Sequence, residues 1–436
     1  MANVVETTKL IFSDAANNNN KFWFAFIRDD GSVLVQWGRV GFAGDEQVKD
    51  FGSVDGARSF VAGKRREKER KGYTQLNVVE SGAKVQVSAV SGKSLEDTAA
   101  EEIGGADKRI VALVKFITKQ NIHNITSSTT MTYNNATGLF QTPLGVVTQG
   151  NIDLARVLLG DMSIFVDKGD FGASKFLGQV SDYLRLIPQN VGMKIRPEVL
   201  YPDLNAIQKQ NAILDSLQAS LDQLTVVGKK KVVVAGNESA AKVFNVKLSL
   251  IEDGQEIDRI VNKVKRTMNS GHACAHLKVQ KVYGVEIPSM EDAFNKDGAK
   301  LTNVWELFHG SRVCNILSIL AKGLIIPPSN ASYCTGRLYG NGIYASDQST
   351  KSLNYSYGYW DGGSKDNHCF MFLLQMAMGN HFIPTGKYGN TYPKKGYDST
   401  YAKAGVSGVA NPEMIVYRTS QVNLTRLIEF GQGMKW

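Results

Sequence analysis

A chain of 436 residues is too long for one hydrophobic core, so we expect two to four domains. Its 43% hydrophobic and 21% charged content is ordinary for a globular protein, and a net charge of +9 favours a polyanionic partner only weakly. Four dispersed cysteines lack zinc-ligand spacing, and no apolar run reaches membrane-span length. We therefore expect an intracellular protein with reduced thiols, no zinc finger and no membrane partner.

Residues 1–82 have the pattern of a small β-rich domain. The runs "KFWFAFIR" and "SVLVQWGRVG" predict two strands, and the intervening "DDG" predicts a tight turn. The next stretch predicts a helix, with Ser53 as its N-cap and Gly72 at its end. Residues 83–94 are small and polar without a persistent period, which indicates a linker.

Residues 95–228 change to a helical period and predict an all-α domain. Leucines at 214, 217, 221 and 224 recur at helical spacing, and several other runs in this segment repeat the pattern. From residue 229 to 436, strand-like runs return with short helices between them. This mixture predicts an α+β domain with a largely antiparallel sheet, so the whole chain is expected to be an α+β multidomain protein.

Two familiar motifs occur without the context that their function requires. "GNGIYA" at 340–345 fits a dinucleotide fingerprint, but its approach is polar and "GIYAS" itself is strand-like, so we reject a Rossmann site. "DFG" at 170–172 has no accompanying glycine-rich loop, lysine strand or His-Arg-Asp loop. The kinase interpretation therefore fails as well.

His309, one of only six histidines, is followed by Gly-Ser-Arg where a strand gives way to a helix. Alone, it is better explained as a half-buried histidine satisfied by a backbone carbonyl. Two later motifs change that interpretation: "GIYASDQSTKSLNYS" at 342–356 and "PEMIVY" at 412–417. In this order, the three stretches resemble the catalytic domain of the poly(ADP-ribose) polymerases, the diphtheria-toxin-like ADP-ribosyltransferases with a His-Tyr-Glu triad.

The resemblance continues upstream of the catalytic motifs. "QTPLGVVTQGNI" and "LIPQNVGMK" resemble the family's regulatory helical domain, and "NNKFWF" with "QWGRVGFAG" resembles its WGR domain. This order is similar to that of the short, DNA-dependent members without zinc fingers. It implies a WGR domain at 1–82, a helical regulatory domain at 95–228 and an ADP-ribosyltransferase domain at 229–436.

The resemblance implies that NAD+ is consumed as a substrate, with no metal, and that ADP-ribose passes to proteins including this chain. His309 would hydrogen-bond the adenosine ribose, and Gly310 would clamp the nicotinamide amide with its backbone. Glu413 would hold the nicotinamide-ribose 2′-hydroxyl and favour an oxocarbenium-like transition state. The remaining NAD+-binding residues implied are Ser311, Ser352, Tyr344 and Tyr355, the last two as aromatic walls for the pyridinium.

Each of these residues alone could be a core aromatic, a helix cap or a solvated strand residue. The chain also departs from the family pattern at Ile325, Asn341, Ala345 and Pro412, and its segment 379–413 is short. Polymer elongation, mono-ADP-ribosylation and short polymers therefore stay open. Two further alternatives are a DNA-end sensor that has lost transfer and an NAD+ glycohydrolase.

The WGR resemblance also implies contact with DNA strand breaks. Trp37 would stack at an exposed ribose or base, Arg39 would support the strand end, and Asn18, Asn19 and Lys21 would contribute. The basic run at 63–72 is either a phosphate-tracking helix or a solvated face paired internally. The helical domain would block NAD+ until DNA binds. We expect a monomer associated with DNA, nuclear in a eukaryote and in the cytoplasm or nucleoid otherwise.

Overall fold

The protein is described here by a computed structural model. It describes residues 2–75, 95–134, 139–142, 145–204, parts of 206–221, and 244–326, 338–359, 365–386 and 389–433. Contacts group the chain into two compact units. The N-terminal unit contains residues 1–92 and 123–224, and the C-terminal unit contains residues 93–122 and 225–436.

The N-terminal unit begins with an antiparallel sheet in the order β1-β2-β3-β4. Alternating side chains of these strands, among them Leu10, Trp23 and Val35, pack with α1 in one apolar core, as period-2 patterning predicts. The Ser53 hydroxyl caps α1 by accepting from the Gly56 N–H, which confirms the predicted helix start. The bounds are β1 Val4–Asp14, β2 Asn19–Arg28, β3 Ser32–Arg39, β4 Asp45–Asp50 and α1 Val54–Arg70.

The predicted helical segment consists mainly of helices, but it also contains a small sheet. Three short antiparallel strands lie in the order β5-β6-β7, between the third and fourth helices. The short run around 132–146 carries too little periodicity to separate strand from loop. The bounds are α2 Leu95–Gly104, α3 Lys108–Ser128, β5 Thr132–Asn134, β6 Leu139–Thr142, β7 Gly145–Val146, α4 Gln149–Lys168, α5 Ser174–Leu186 and α6 Pro197–Leu200.

The predicted helical segment, residues 95–228, is divided between the two units. The boundary falls inside α3, between Ile122 and His123. The first part of the segment belongs to the C-terminal unit, within which Arg109 forms an ion pair with Glu252 at 2.5 Å. The predicted linker at 83–94 and Leu224 lie outside the described residues, and the four predicted domain boundaries stay predictions.

The C-terminal unit contains two sheets, as predicted for an α+β domain. One has the order β10-β12-β16-β9-β8 and is antiparallel throughout; the other has the order β11-β15-β14-β13, with β13 and β14 parallel. The strand bounds are β8 Lys247–Leu250, β9 Lys278–Glu286, β10 Val304–Gly310, β11 Ile343–Ala345, β12 Cys369–Ala377, β13 His381–Phe382, β14 Ser399–Ala402, β15 Glu413–Val416 and β16 Val422–Gly431.

Helices cover this domain and connect its strands. They are α7 Gly254–Arg266, α8 Pro288–Ala293, α9 Val313–Lys322 and α10 Ser349–Tyr357. The interior strand β12 is apolar and almost wholly buried, which is typical of a strand covered on both faces. Among the described residues, no helix combines the length and apolar character that crossing a membrane requires.

A backbone bridge joins the two sheets at the point where the predicted motifs meet. The Phe308 N–H donates to the Ser346 carbonyl at 2.8 Å, and the Ser346 N–H donates back to Phe308 at 3.0 Å. Because Ile343–Ala345 form strand β11, no helix opens on the glycines of "GNGIYA". The rejection of a Rossmann site there is consistent with the structure.

Candidate active site

His309 lies near the end of β10, where it contacts the neighbouring sheet. Its Nδ1 is 2.8 Å from the Tyr344 carbonyl oxygen, which can only accept a hydrogen bond. Nδ1 therefore carries the proton in the neutral ring, and Nε2 is left as the acceptor. Burial lowers the pKa of His309, and the hydrogen bond to Tyr344 opposes this only in part. The imidazole is therefore held neutral, with one acceptor nitrogen.

Gly310 follows His309 and lies in very close contact with α10. A Cβ at this position would be 1.7 Å from the Ser352 carbonyl oxygen and 3.1 Å from the Ser356 hydroxyl. The Ser311 N–H donates to that Ser356 hydroxyl at 3.1 Å. Only a residue without a side chain allows β10 and α10 to approach this closely.

Helix α10 presents different side chains to different neighbours. Ser352 and Ser356, one helical turn apart, face β10, and the Ser352 hydroxyl donates to the Phe308 carbonyl at 2.9 Å. Lys351 and Tyr355 are also one turn apart, and the Lys351 ammonium is 5.5 Å from the centre of the Tyr355 ring. One short helix thus carries three candidate site residues at fixed relative positions.

Glu413 is the first residue of β15 and is 8% exposed. Its carboxylate accepts from the Lys351 ammonium at 2.5 Å, and both side chains are nearly buried. Burial lowers the pKa of Lys351, but the attractions of Tyr355 and Glu413 outweigh burial and leave that pKa raised. The lysine is therefore charged beside the carboxylate, as a buried carboxylate requires.

Tyr344 is fixed at both ends. Its hydroxyl donates to the Gly340 carbonyl at 2.7 Å and accepts from the Tyr339 N–H at 3.1 Å. Its backbone pairs with Ile415 across β11 and β15. The ring is half-buried between the strand and the 339–342 turn, so it can act as a rigid wall.

The structure brings the three predicted motifs together. His309 lies on β10, Tyr344 on β11, Ser352 on α10 and Glu413 at the start of β15. The Phe308–Ser346 backbone bridge links β10 to the segment after β11, and β11 pairs with β15. The contact between Lys351 and Glu413 links α10 to β15. Sequence reasoning omitted Lys351 as a site residue. Its signal was present, because it opens the "KSLNY" stretch, but its partner lies 62 positions away.

The predicted DNA residues lie in the N-terminal unit. The Arg39 guanidinium donates to the Gly192 carbonyl at 2.8 Å and to two oxygens of Asn18. The Asn18 side chain also accepts from the Ile195 N–H at 2.8 Å. Arg39 and Asn18 therefore tie the β domain to the 192–195 loop of the same unit. Sequence reasoning did not find this internal role.

The other predicted DNA residues are more accessible. Trp37 is 36% exposed, and Lys21 is exposed directly opposite Arg39 in the β2–β3 register, while Asn19 is half-buried. On α1, Lys64 and Lys71 both pair with Glu67, and Arg65 pairs with Glu69. These pairs favour the interpretation of that helix as an internally paired, solvated face.

The residues that the structure describes contain no group of three His, Cys, Asp or Glu side chains placed to hold a metal ion. A reaction without a metal therefore stays a prediction. The available chemical groups are an acceptor imidazole nitrogen, aromatic rings and a carboxylate with its ammonium partner. Such a set suits a sugar and a cationic ring.

Two family profiles match the chain. The "Poly(ADP-ribose) polymerase catalytic domain" matches residues 254–432, and the "WGR domain" matches residues 6–79. The first match contains His309, Tyr344 and Glu413, and the second contains Trp37 and Arg39. The resemblance to the family's catalytic and WGR domains is confirmed, and the resemblance of the segment between them to a regulatory domain stays a prediction.

Curated relatives agree with the profiles. The "Putative poly [ADP-ribose] polymerase-like 100L" of Invertebrate iridescent virus 6 is 32% identical over 41% of this chain and 94% of its own length. "Protein mono-ADP-ribosyltransferase PARP3" of Homo sapiens is 25% identical over 89% of this chain and 74% of its own length. "Poly [ADP-ribose] polymerase 1" of Danio rerio is 25% identical over 98% of this chain, which spans 46% of that relative. The chain is therefore a member of the poly(ADP-ribose) polymerase family and an NAD+ ADP-ribosyltransferase.

Proposed function

We propose that this chain transfers ADP-ribose from NAD+ to protein acceptors, itself included, when DNA strand breaks are present. The observation that carries the proposal is the nearly buried Lys351–Glu413 pair beside the strand that contacts His309. A preorganised carboxylate in a nearly buried position stabilises positive charge that develops on a sugar. That is the charge that departure of nicotinamide creates.

Each site residue has a part in this reaction. The Nε2 acceptor of His309 would receive a hydroxyl of the adenosine ribose, and the backbone of Gly310 with Ser352 and Ser311 would hold the nicotinamide amide. Tyr344 and Tyr355 would flank the pyridinium ring. Glu413 would hold the 2′-hydroxyl of the nicotinamide ribose and polarise the acceptor, while the contact with Lys351 orients the carboxylate.

Stimulation by DNA breaks rests on the WGR match and on the exposed Trp37 and Lys21. An accessible aromatic ring and an accessible cation in the same sheet suit an unpaired strand end. Nicked duplex should therefore raise nicotinamide release. Trp37→Ala should lose this stimulation but keep basal release, while Phe42→Ala, a matched change at another exposed ring of the same domain, should keep both. Equal rates with and without nicked duplex would refute the stimulation.

The length of the product distinguishes two versions of the activity. The human relative is called a mono-ADP-ribosyltransferase, whereas the zebrafish relative is called a polymerase. We propose polymer formation, with mono-ADP-ribosylation as the second candidate because segment 379–413 is short. A gel of the product made from labelled NAD+ decides between them, since polymer gives a smear and a single unit gives a sharp band.

The same labelled gel tests the remaining alternatives. Label on protein would exclude the alternative that the chain binds DNA ends but does not transfer ADP-ribose. Free ADP-ribose without labelled protein would instead indicate a glycohydrolase. Glu413→Gln should abolish the smear in an assay run below its unfolding midpoint, which should be lowered because the Lys351 ammonium stays nearly buried without its carboxylate.

A further inference from the structure

The loop between α7 and β9, residues 267–277, holds the first turn of α10. The Ser349 hydroxyl donates to the Val264 carbonyl at 2.8 Å, and the Ser349 N–H donates to the Thr267 carbonyl at 3.2 Å. The thiol of Cys274 donates to the Thr350 carbonyl at 3.4 Å. The start of α10 is therefore bound by directional contacts to this loop and to the end of α7.

The hydroxyl of Thr350, which is fully buried, is the centre of this attachment. It accepts from the Asn269 N–H at 2.9 Å, lies 3.0 Å from His272 Nδ1, and lies 3.4 Å from the Asn269 carbonyl. A hydroxyl has one proton and two acceptor positions. Donation to the Asn269 carbonyl leaves both acceptor positions for Asn269 N–H and His272 Nδ1–H, which uses the full capacity of the hydroxyl.

The inner face of α10 is held differently. Leu353 and Tyr357 pack in one apolar core with Ile260 and Val264 of α7. Apolar packing is non-directional and by itself permits small rotations of a helix. Hydrogen bonds weaken steeply with angle, so the contacts of Thr350 help to fix the rotation that packing leaves open, together with the hydrogen bonds of Ser349 and Ser352.

That rotation matters because the next residues on α10 are Lys351 and Ser352, with Tyr355 one turn later. A rotation of about 10° moves a side-chain atom that lies roughly 6 Å from the helix axis by about 1 Å. Displacements of about 1 Å are enough to impair a reaction that depends on near-attack geometry.

We propose that Asn269, His272 and Thr350 form a polar clasp that positions α10 for NAD+ binding and cleavage. These are positioning residues, because they act through Lys351, Ser352 and Tyr355. The proposal rests on the proposed function for its kinetic consequence. Its structural consequence, the orientation of the nicotinamide-binding face of α10, can be measured without turnover.

The test replaces the Thr350 hydroxyl by a methyl group of the same shape, Thr350→Val. We expect KM for NAD+ to rise about tenfold, because a tenfold change in affinity corresponds to the net free energy of roughly one hydrogen bond. The dissociation constant for benzamide, which carries a carboxamide on an aromatic ring as nicotinamide does, should rise by the same factor in calorimetry. Thr350→Ser restores the hydroxyl and should bring both values to within about twofold of wild type.

A matched control removes a hydroxyl that makes no hydrogen bond to α10, the hydroxyl of Thr267, and keeps the Thr267 carbonyl that accepts from the Ser349 N–H. The Thr267 hydroxyl donates to the Lys263 carbonyl within α7, so Thr267→Val should leave KM and benzamide binding unchanged. His272→Ala is the second variant if Thr350→Val fails to fold, because it removes one contact of the clasp from the loop side. It should raise both constants about threefold to tenfold.

The outcomes separate the two proposals. Unchanged KM and benzamide affinity in folded Thr350→Val would overturn the clasp, as would an equal change in Thr267→Val. A lowered unfolding midpoint with an unchanged KM below that midpoint would show that Thr350 stabilises the fold only. Wild-type protein that releases no nicotinamide, yet loses benzamide affinity on Thr350→Val, would overturn the proposed function while supporting the clasp.

Discussion

Gly310→Ala tests whether the contact between β10 and α10 shapes the NAD+ site. Real Cβ atoms essentially never approach within 3.0 Å, whereas the added Cβ would be 1.7 Å from the Ser352 carbonyl oxygen. One of the two elements must therefore move by about 1.3 Å. Overpacking of this kind costs about 1–3 kcal/mol of unfolding free energy. Misplacement by roughly 1 Å lowers kcat/KM by about 100-fold.

The assay is initial-rate nicotinamide release over a range of NAD+ concentrations, with thermal unfolding of the same preparations. Gly254→Ala is the matched control, because nothing lies within 4 Å of a Cβ added at the first residue of α7. The control should keep wild-type kcat/KM. Gly310→Ala with wild-type kcat/KM and stability would refute the idea that this close approach is required.

Three further outcomes are expected. Lys351→Met leaves the Glu413 carboxylate nearly buried without its cation, so initial-rate assays of nicotinamide release should show kcat falling about 10- to 100-fold. An unchanged kcat would contradict this. Tyr344→Phe leaves the Tyr339 N–H without its hydroxyl acceptor, so the free energy of unfolding measured by chemical denaturation should fall by about 1–3 kcal/mol. An unchanged free energy of unfolding would contradict this. Because the pKa of His309 is lowered on folding, stability should be fully present above about pH 6.5 and fall as the pH drops below it, and His309→Gln should remove that part of the slope in thermal unfolding.

Much of the site could be predicted from the sequence because its parts are local patterns. The strand ending at Gly310, the helix with Ser352 and Tyr355, and the strand opening at Glu413 each have their own periodicity and punctuation. Local pattern also predicted the cap at Ser53. Sequence reasoning therefore predicted those features that one continuous segment determines, namely strands, helices and a helix cap.

The contacts between distant segments could not be predicted in the same way. Lys351 lies 62 residues from Glu413, and Arg39 lies 153 residues from Gly192, so no window of sequence contains both partners. Trp37 and Arg39 look equivalent in the "QWGRV" motif. Only the fold shows that the ring is exposed while the guanidinium is used internally.

The most direct test of the central claim is nicotinamide release from NAD+ by wild-type protein and by Glu413→Gln, both with nicked duplex DNA. If the carboxylate held by Lys351 stabilises the developing positive charge, Glu413→Gln should release nicotinamide at least about 100-fold more slowly when both proteins are assayed below their unfolding midpoints. Equal release by the two proteins would show that bond cleavage does not take place where His309, Tyr344 and Glu413 converge.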